Sequence, residues 1–265
     1  MATVREVYQY LDGLAPFSLQ MSFDNAGFLV GRGSAQVTRI LVSLDITEEV
    51  AAEAVELGAE LIVSHHPVIF HPAKSITDAT PDGRILLALT EGKIAAICAH
   101  TNLDAVAGGV NDALAQRLGL VQVEQLHQDG VDAAGRPYGI GRVGNTTGAP
   151  SYAPAFAAFV KEALSSNGVR YVDARRPVRR VAVGGGACAD MLGDALALGC
   201  DTFVTSDVKY NGFLDAKALG MNLIDAGHYP TEQVVCPVLT DWLSRGFPKV
   251  EVLSTRRHQE AFSYL

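Results

Sequence analysis

The chain has no apolar run approaching the roughly 20 residues that a membrane-spanning helix needs. Its first residues, Met1-Ala2-Thr3-Val4-Arg5-Glu6, lack the apolar segment of a secretory signal. Cysteine is scarce: Cys98, Cys188, Cys200 and Cys236 are scattered, with no C-x-x-C pair. Free buried thiols in a reducing cytoplasm, with no disulfide framework, are the expectation. Positive charge is also short, with 21 Lys and Arg against 29 Asp and Glu and a net charge of -8. No broad nucleic-acid footprint is expected from such a balance. The densest basic stretch, Arg175-Arg176-Pro177-Val178-Arg179-Arg180, runs straight into an apolar segment and reads as a solvated strand edge. No Ser-His-Asp or Cys-His nucleophile pair stands out. The turn Gly184-Gly185-Gly186 lacks the Lys-Ser/Thr of a P-loop and is not G-x-G-x-x-G. Phosphate cradling and a tight turn for close backbone approach both remain open for it.

What the chain does have is a large apolar fraction, 48% over 265 residues, enough for one big domain or two small ones. Thr3 with Glu6 predicts a capping box on a helix over 3 to 14. Arg39 to Asp45 reads as a strand, Thr47 as the cap of a helix over about 48 to 57 that Gly58 ends, and Ala59 to Ser64 as the next strand. A strand–helix–strand unit implies parallel pairing. The unit recurs when the chain is slid along itself by 141 positions. Arg39 then meets Arg180, Val42 meets Val183, Ala54 meets Ala195, Leu57 meets Leu198, Gly58 meets Gly199 and Val63 meets Val204. All such units share the pattern of strand, helix, Gly and strand; the gapless register favours duplication. Between the copies, residues 121 to 150 are rich in turn signals and predict short strands, followed by a helix over about 152 to 165. A helix containing Leu239 and Trp242 and a strand over Val250 to Leu253 close the chain. The expected organisation is α/β, with a first lobe over 1–125 plus 234–265 and a second over 126–233.

The most informative residues are His65-His66, at the end of the apolar run Leu61-Ile62-Val63. Ligands of open α/β sheets bind outside the carboxyl ends of the strands. Successive strand side chains point to opposite faces, so the two imidazoles diverge unless the chain turns. Divergent rings suit two ions side by side better than one ion chelated twice. Two further segments have the same layout of apolar strand, then His or carboxylate: His100-Thr101-Asn102-Leu103-Asp104, and Asp225-Ala226-Gly227-His228-Tyr229-Pro230-Thr231-Glu232. Each has a plainer reading on its own. A single strand-end His is usually a hydrogen-bonded surface residue, Asp104 could belong to the loop before a helix, and Glu232 could sit in a helix's first turn. Together His65, His66, Asp104, His228 and Glu232 offer three nitrogens and two carboxylates. That set suits divalent first-row metals and is enough for two ions if one carboxylate bridges. Opposite His65-His66 in the second copy stand Ser206-Asp207, so only the first copy carries the doublet.

These segments resemble the Nif-three-like (YbgI-like) family, whose members often bear the name GTP cyclohydrolase I type 2 homolog. Phe23-Asp24-Asn25-Ala26-Gly27-Phe28-Leu29-Val30-Gly31 is similar to its W-D-N-x-G-L-x-x-G stretch. Leu44-Asp45-Ile46-Thr47 is similar to L-D-x-T, and Ser64-His65-His66-Pro67 to its H-H-P segment. His100 to Asp104, with Gly108-Gly109-Val110-Asn111-Asp112, is similar to H-T-N-x-D and G-G-x-N-D. Gly227-His228 with Glu232 is similar to the closing G-H-x-x-x-E. Phe23 departs from the usual Trp, and Tyr210-Asn211 stands where some members carry His.

The resemblance implies two similar α/β lobes with a dinuclear metal site between them, and a toroidal homohexamer with the sites facing an internal cavity. It implies the metal ligands His65, His66, Asp104, His228 and Glu232, with Glu232 shared, and a site-lining His100, read here as an acid or base that orients Asp104 or a water. Two divalent ions per chain, Zn, Fe, Mn or Ni, fit the mixed donors. The function expected is hydrolysis of a small molecule, with nucleotides and phosphate compounds among the candidates. The alternatives are a GTP cyclohydrolase I type 2-like activity, or a non-enzymatic hexamer for metal binding, delivery or regulation.

Overall fold

Thr3 opens the first helix as its sequence predicts. Its hydroxyl accepts from the Glu6 N–H, and the Glu6 carboxylate accepts from the Thr3 N–H, closing a capping box on Val4–Leu14. The computed structural model describes residues 2–148 and 151–265, so the last two positions of the turn-rich stretch 121 to 150 lie outside the described residues. The fold is mixed α/β, and the chain divides into one unit running up to Leu103 with Val235–Gln259 and another made of Asp104–Val234 with Glu260–Leu265.

In the first unit a five-stranded sheet runs in the order Glu251–Ser254, Arg39–Ser43, Leu61–Ser64, Ala95–Cys98, Gly27–Val30. The first four strands pair in parallel, and Gly27–Val30 lies antiparallel on Ala95–Cys98. Leu41, Ile62 and Ala96 from the strands pack with Val50, Ala51, Ala54 and Leu89 from the crossover helices Glu48–Leu57 and Pro81–Glu91. Thr47 caps the first of these helices, and Gly58 ends it in the left-handed region at φ 64°. The following strand begins at Leu61, two residues later than the apolar run alone suggests. Ala59 still belongs to the helix end, its N–H donating to the Ala54 carbonyl.

In the second unit a six-stranded sheet runs Arg170–Val172, Asn222–Asp225, Thr202–Thr205, Arg180–Val183, Arg142–Thr146, Leu120–Gln125. Its middle three strands are parallel. The helix Ala153–Ala163 buries Phe156, Ala157 and Val160 against Val181, Val183, Val204 and Ile224.

The two units repeat one another in hydrogen-bond detail. In the first, the Glu60 carboxylate accepts from the N–H groups of Thr38 and Arg39, and the Arg39 guanidinium donates to the Leu57 carbonyl. In the second, the Asp201 carboxylate accepts from Arg179 and Arg180, and the Arg180 guanidinium donates to the Leu198 carbonyl. Gly58 and Gly199 end the matching helices, both left-handed. In each unit the third parallel strand leads into a five-residue helix, Thr101–Ala105 in one case and His228–Glu232 in the other. In each, an antiparallel strand covers that third strand. Polar side chains therefore gather at the same sheet end in both halves of the chain.

Candidate metal centre

In the first unit the chain turns at the histidine doublet. The N–H groups of His65 and His66 both donate to the Leu44 carbonyl, at 3.1 and 2.9 Å. The two rings therefore converge instead of diverging, with centroids 5.0 Å apart. This corrects the expectation from strand alternation and removes the local argument for two ions from the doublet alone. His100, just beyond the strand Ala95–Cys98, brings its ring to 5.2 Å from His65 and 5.4 Å from His66. One ring nitrogen from each of the three lies within 4.8 Å of the others.

The opposite edge of each ring is held by an oxygen. Nδ1 of His65 donates to the Ala99 carbonyl at 2.8 Å. Nδ1 of His66 meets Asp45 Oδ1 at 2.7 Å, and Nδ1 of His100 meets Asp24 Oδ1 at 2.8 Å. Carbonyl and carboxylate oxygens only accept, so each Nδ1 carries the hydrogen and each Nε2 presents its lone pair. A metal-ligating histidine is oriented in this way. The supporting carboxylates are themselves fixed. Burial alone would raise Asp24, but hydrogen bonds from His100 and Thr101 outweigh it and lower its pKa to about 2. Burial likewise opposes ionisation of Asp45, yet hydrogen bonds from His258 and His66 hold its carboxyl well below the usual carboxylate range. His258 reaches the second oxygen of Asp45 at 3.2 Å.

In the second unit the Nδ1 of His228 is likewise held, by Asp207 Oδ2 at 2.6 Å, while its Nε2 lies 3.0 Å from Glu232 Oε2. Their spacing on the helix His228–Glu232 puts the two side chains on one face. Asp104 and Glu232 are both buried, and an oxygen of one lies within 4.8 Å of an oxygen of the other. Burial, reinforced by Asp104 and Glu232, pushes the Cys188 thiol well above its ordinary value. Two carboxylates buried this close call for a cation. With imidazole beside them, the donor set fits a divalent first-row metal.

The surrounding motif residues build the carboxylate side. The Asn111 amide donates to the Asp104 carbonyl and accepts from the Gly185 N–H. Asp112 pairs with both arms of Arg142, at 3.1 and 3.0 Å. The three N–H groups of Gly184, Gly185 and Gly186 go to Val204, Asn111 and Thr231, so none is left to cradle a phosphate. Gly186 is left-handed at φ 66°, and a Cβ there would run into the Glu232 carboxylate. Close backbone approach to Glu232 is therefore the role of this turn.

Of the sequence-derived candidates, His65, His66 and His100 come together in the first unit, and Asp104, His228 and Glu232 in the second. Nδ1 of His100 is held by Asp24. Asp24, Asp45 and Asp207 were not singled out for roles from sequence. Asp24 and Asp45 lie inside the F-D-N-x-G and L-D-x-T stretches. Asp207 occupies the place of His66 in the second copy, which was the available signal for it. Tyr210 opens the helix Tyr210–Leu219 and is well exposed.

Comparison with known proteins agrees with this architecture. The family model described as Duf34/NIF3 (NGG1p interacting factor 3) matches residues 2–260. A Clostridium perfringens protein named GTP cyclohydrolase 1 type 2 homolog is 33% identical over 264 residues, covering 99% of each chain. A Staphylococcus aureus protein of known structure superposes with a TM-score of 0.93 at 31% identity, covering 99% of each chain. A Bacillus cereus protein related to NIF3 gives the same TM-score at 25% identity, covering 100% of this chain and 99% of that one.

Proposed function

Because the chain belongs to the Duf34/NIF3 family, we propose that it is a metal-dependent hydrolase of a small molecule. It holds two divalent ions through His65, His66, Asp104, His228 and Glu232, with Glu232 shared. The observation that carries this reading is the common anchoring of His65, His66, His100 and His228, each with Nδ1 on an oxygen. The buried carboxylates Asp104 and Glu232 supply the negative charge the ions need. Bound, such ions supply concentrated positive charge that activates water and stabilises negative charge developing on a substrate oxygen.

The protein's own part is to orient donors and move protons. Asp24 fixes His100 through Nδ1, which leaves Nε2 to take or give a proton. Glu232, as a shared ligand, is a poor base. The assembly proposed is the toroidal hexamer of the family resemblance, running at about six times 28.1 kDa in sedimentation. A cytoplasmic location is proposed with it. Among the described residues no helix is long and apolar enough to cross a membrane.

A second reading, GTP cyclohydrolase-type ring opening, is favoured by the name of the Clostridium perfringens relative. It would use the same ions and the same His100. The third reading is metal delivery, storage or regulation without catalysis. The deciding experiment is elemental analysis of native protein, followed by a hydrolase screen of that metal-loaded form with nucleotides, GTP included, and phosphate esters. Turnover abolished by a chelator and restored by one metal supports the enzyme. Full metal content with no turnover of any substrate class favours the non-enzymatic reading.

A further inference from the structure

Two phenyl rings beside the imidazole cluster have no part in the core. Phe23 is 62% exposed and Phe70 39%, and their centroids lie 6.5 Å apart. The Phe70 ring stands edge-on to His100, at 6.2 Å and 83°. Phe23 directly precedes Asp24, the carboxylate that holds His100. Both loops are pinned. Asp24 also accepts from the N–H and hydroxyl of Thr101, and the Asn25 amide donates to the Ile69 carbonyl next to Phe70. The rings are thus held in water by the residues that orient His100, although burying them would be favourable. An exposed, preorganised aromatic pair matches the stacking platforms on which nucleobases are held.

We propose that Phe23 and Phe70 form the platform for the base of a nucleotide substrate, with its phosphates directed toward the imidazole cluster. The proposal rests on the metal-site reading and adds the substrate class. Stacking accepts any base face, so it provides affinity for a planar heteroaromatic ring without selecting guanine. The rings are tilted by 59° to one another, so a planar base stacks on the face of one ring, the more exposed Phe23, and meets Phe70 edge-on. A Trp at position 23 would keep the stacking surface and add only an indole N–H.

The test uses full-length, metal-loaded protein and calorimetric titration with GTP, ATP and inorganic tripolyphosphate, which carries the phosphates without a ring. Wild type should bind both nucleotides ~10-fold or more tightly than tripolyphosphate. The Phe23→Ala/Phe70→Ala variant should lose that preference while keeping its metal content and its affinity for tripolyphosphate. Phe23→Trp should keep the preference. Repeating the titrations on metal-stripped protein separates the two readings. A ring preference that survives stripping supports the platform even if native protein proves metal-free. Equal affinity of wild type for tripolyphosphate and nucleotides overturns the proposal, as does an unchanged preference in the double Ala variant. A double Ala variant that falls to a smaller assembly with its ring preference intact would assign the rings to a subunit contact and also overturn it.

Discussion

Asp24 and His100 are joined by a 2.8 Å hydrogen bond from Nδ1 to a carboxylate whose side chain is wholly covered, although 76 residues separate them. The bond fixes the tautomer and the ring plane of the one cluster histidine that is not in the proposed ligand set. If His100 carries protons, Asp24→Asn and His100→Ala should leave metal content nearly intact. Each should slow turnover of the substrate found in the screen by ~10²-fold or more. Metal analysis and steady-state rates on the same preparations check this. A fall in metal in proportion to activity would make His100 a ligand, and full activity with full metal would make the pair purely structural.

The same pair predicts a pH dependence of stability. Asp24 titrates near 2 in the folded protein, below its ordinary 3.8. Its contribution is fully present above the unfolded value and is lost as pH falls from about 4 through 2, amounting to about 2 kcal/mol. Denaturant titrations between these limits should show wild type losing stability faster than Asp24→Asn. Parallel curves for the two proteins would contradict the assignment.

Asp45 and Asp207 perform one task in the two units, holding Nδ1 of His66 and of His228. Replacing either with Ala should weaken metal binding by ~10- to 100-fold, the usual scale for losing a ligand's supporting partner. Competition with a chromophoric chelator measures this. An Ala variant at either position that competes as wild type does would show that the carboxylate is dispensable.

Much of the fold was legible because local chemistry and apolar pattern agree along this chain. The Thr3–Glu6 capping box, the Thr47 cap, the Gly58 stop and the internal repeat all rest on short-range signals that tertiary packing did not override. The repeat could be read over strand, helix and strand but not beyond. Its continuation into Thr101–Ala105 and His228–Glu232 keeps the backbone path while changing nearly every side chain. The turn at His65-His66 was not legible, because it depends on both N–H groups sharing the Leu44 carbonyl, 21 and 22 residues upstream. The supporting carboxylates were hidden for a similar reason. Asp24 lies far from His100 in sequence, and Asp207 comes from a different strand exit than His228. Nothing in their spacing tells a histidine's partner from an ordinary loop carboxylate.

The most direct test of the central claim is the metal content of purified native protein beside the His65→Ala/His66→Ala and His228→Ala variants, with thermal melts to show that each is folded. Wild type should hold close to two divalent ions per chain, the double variant should lose nearly both, and His228→Ala should show a marked fall. His228 is partly exposed, so that variant should melt close to wild type. Full metal content in the folded double variant, or a wild-type protein that cannot be loaded with any divalent first-row metal, would rule out these residues as a metal centre.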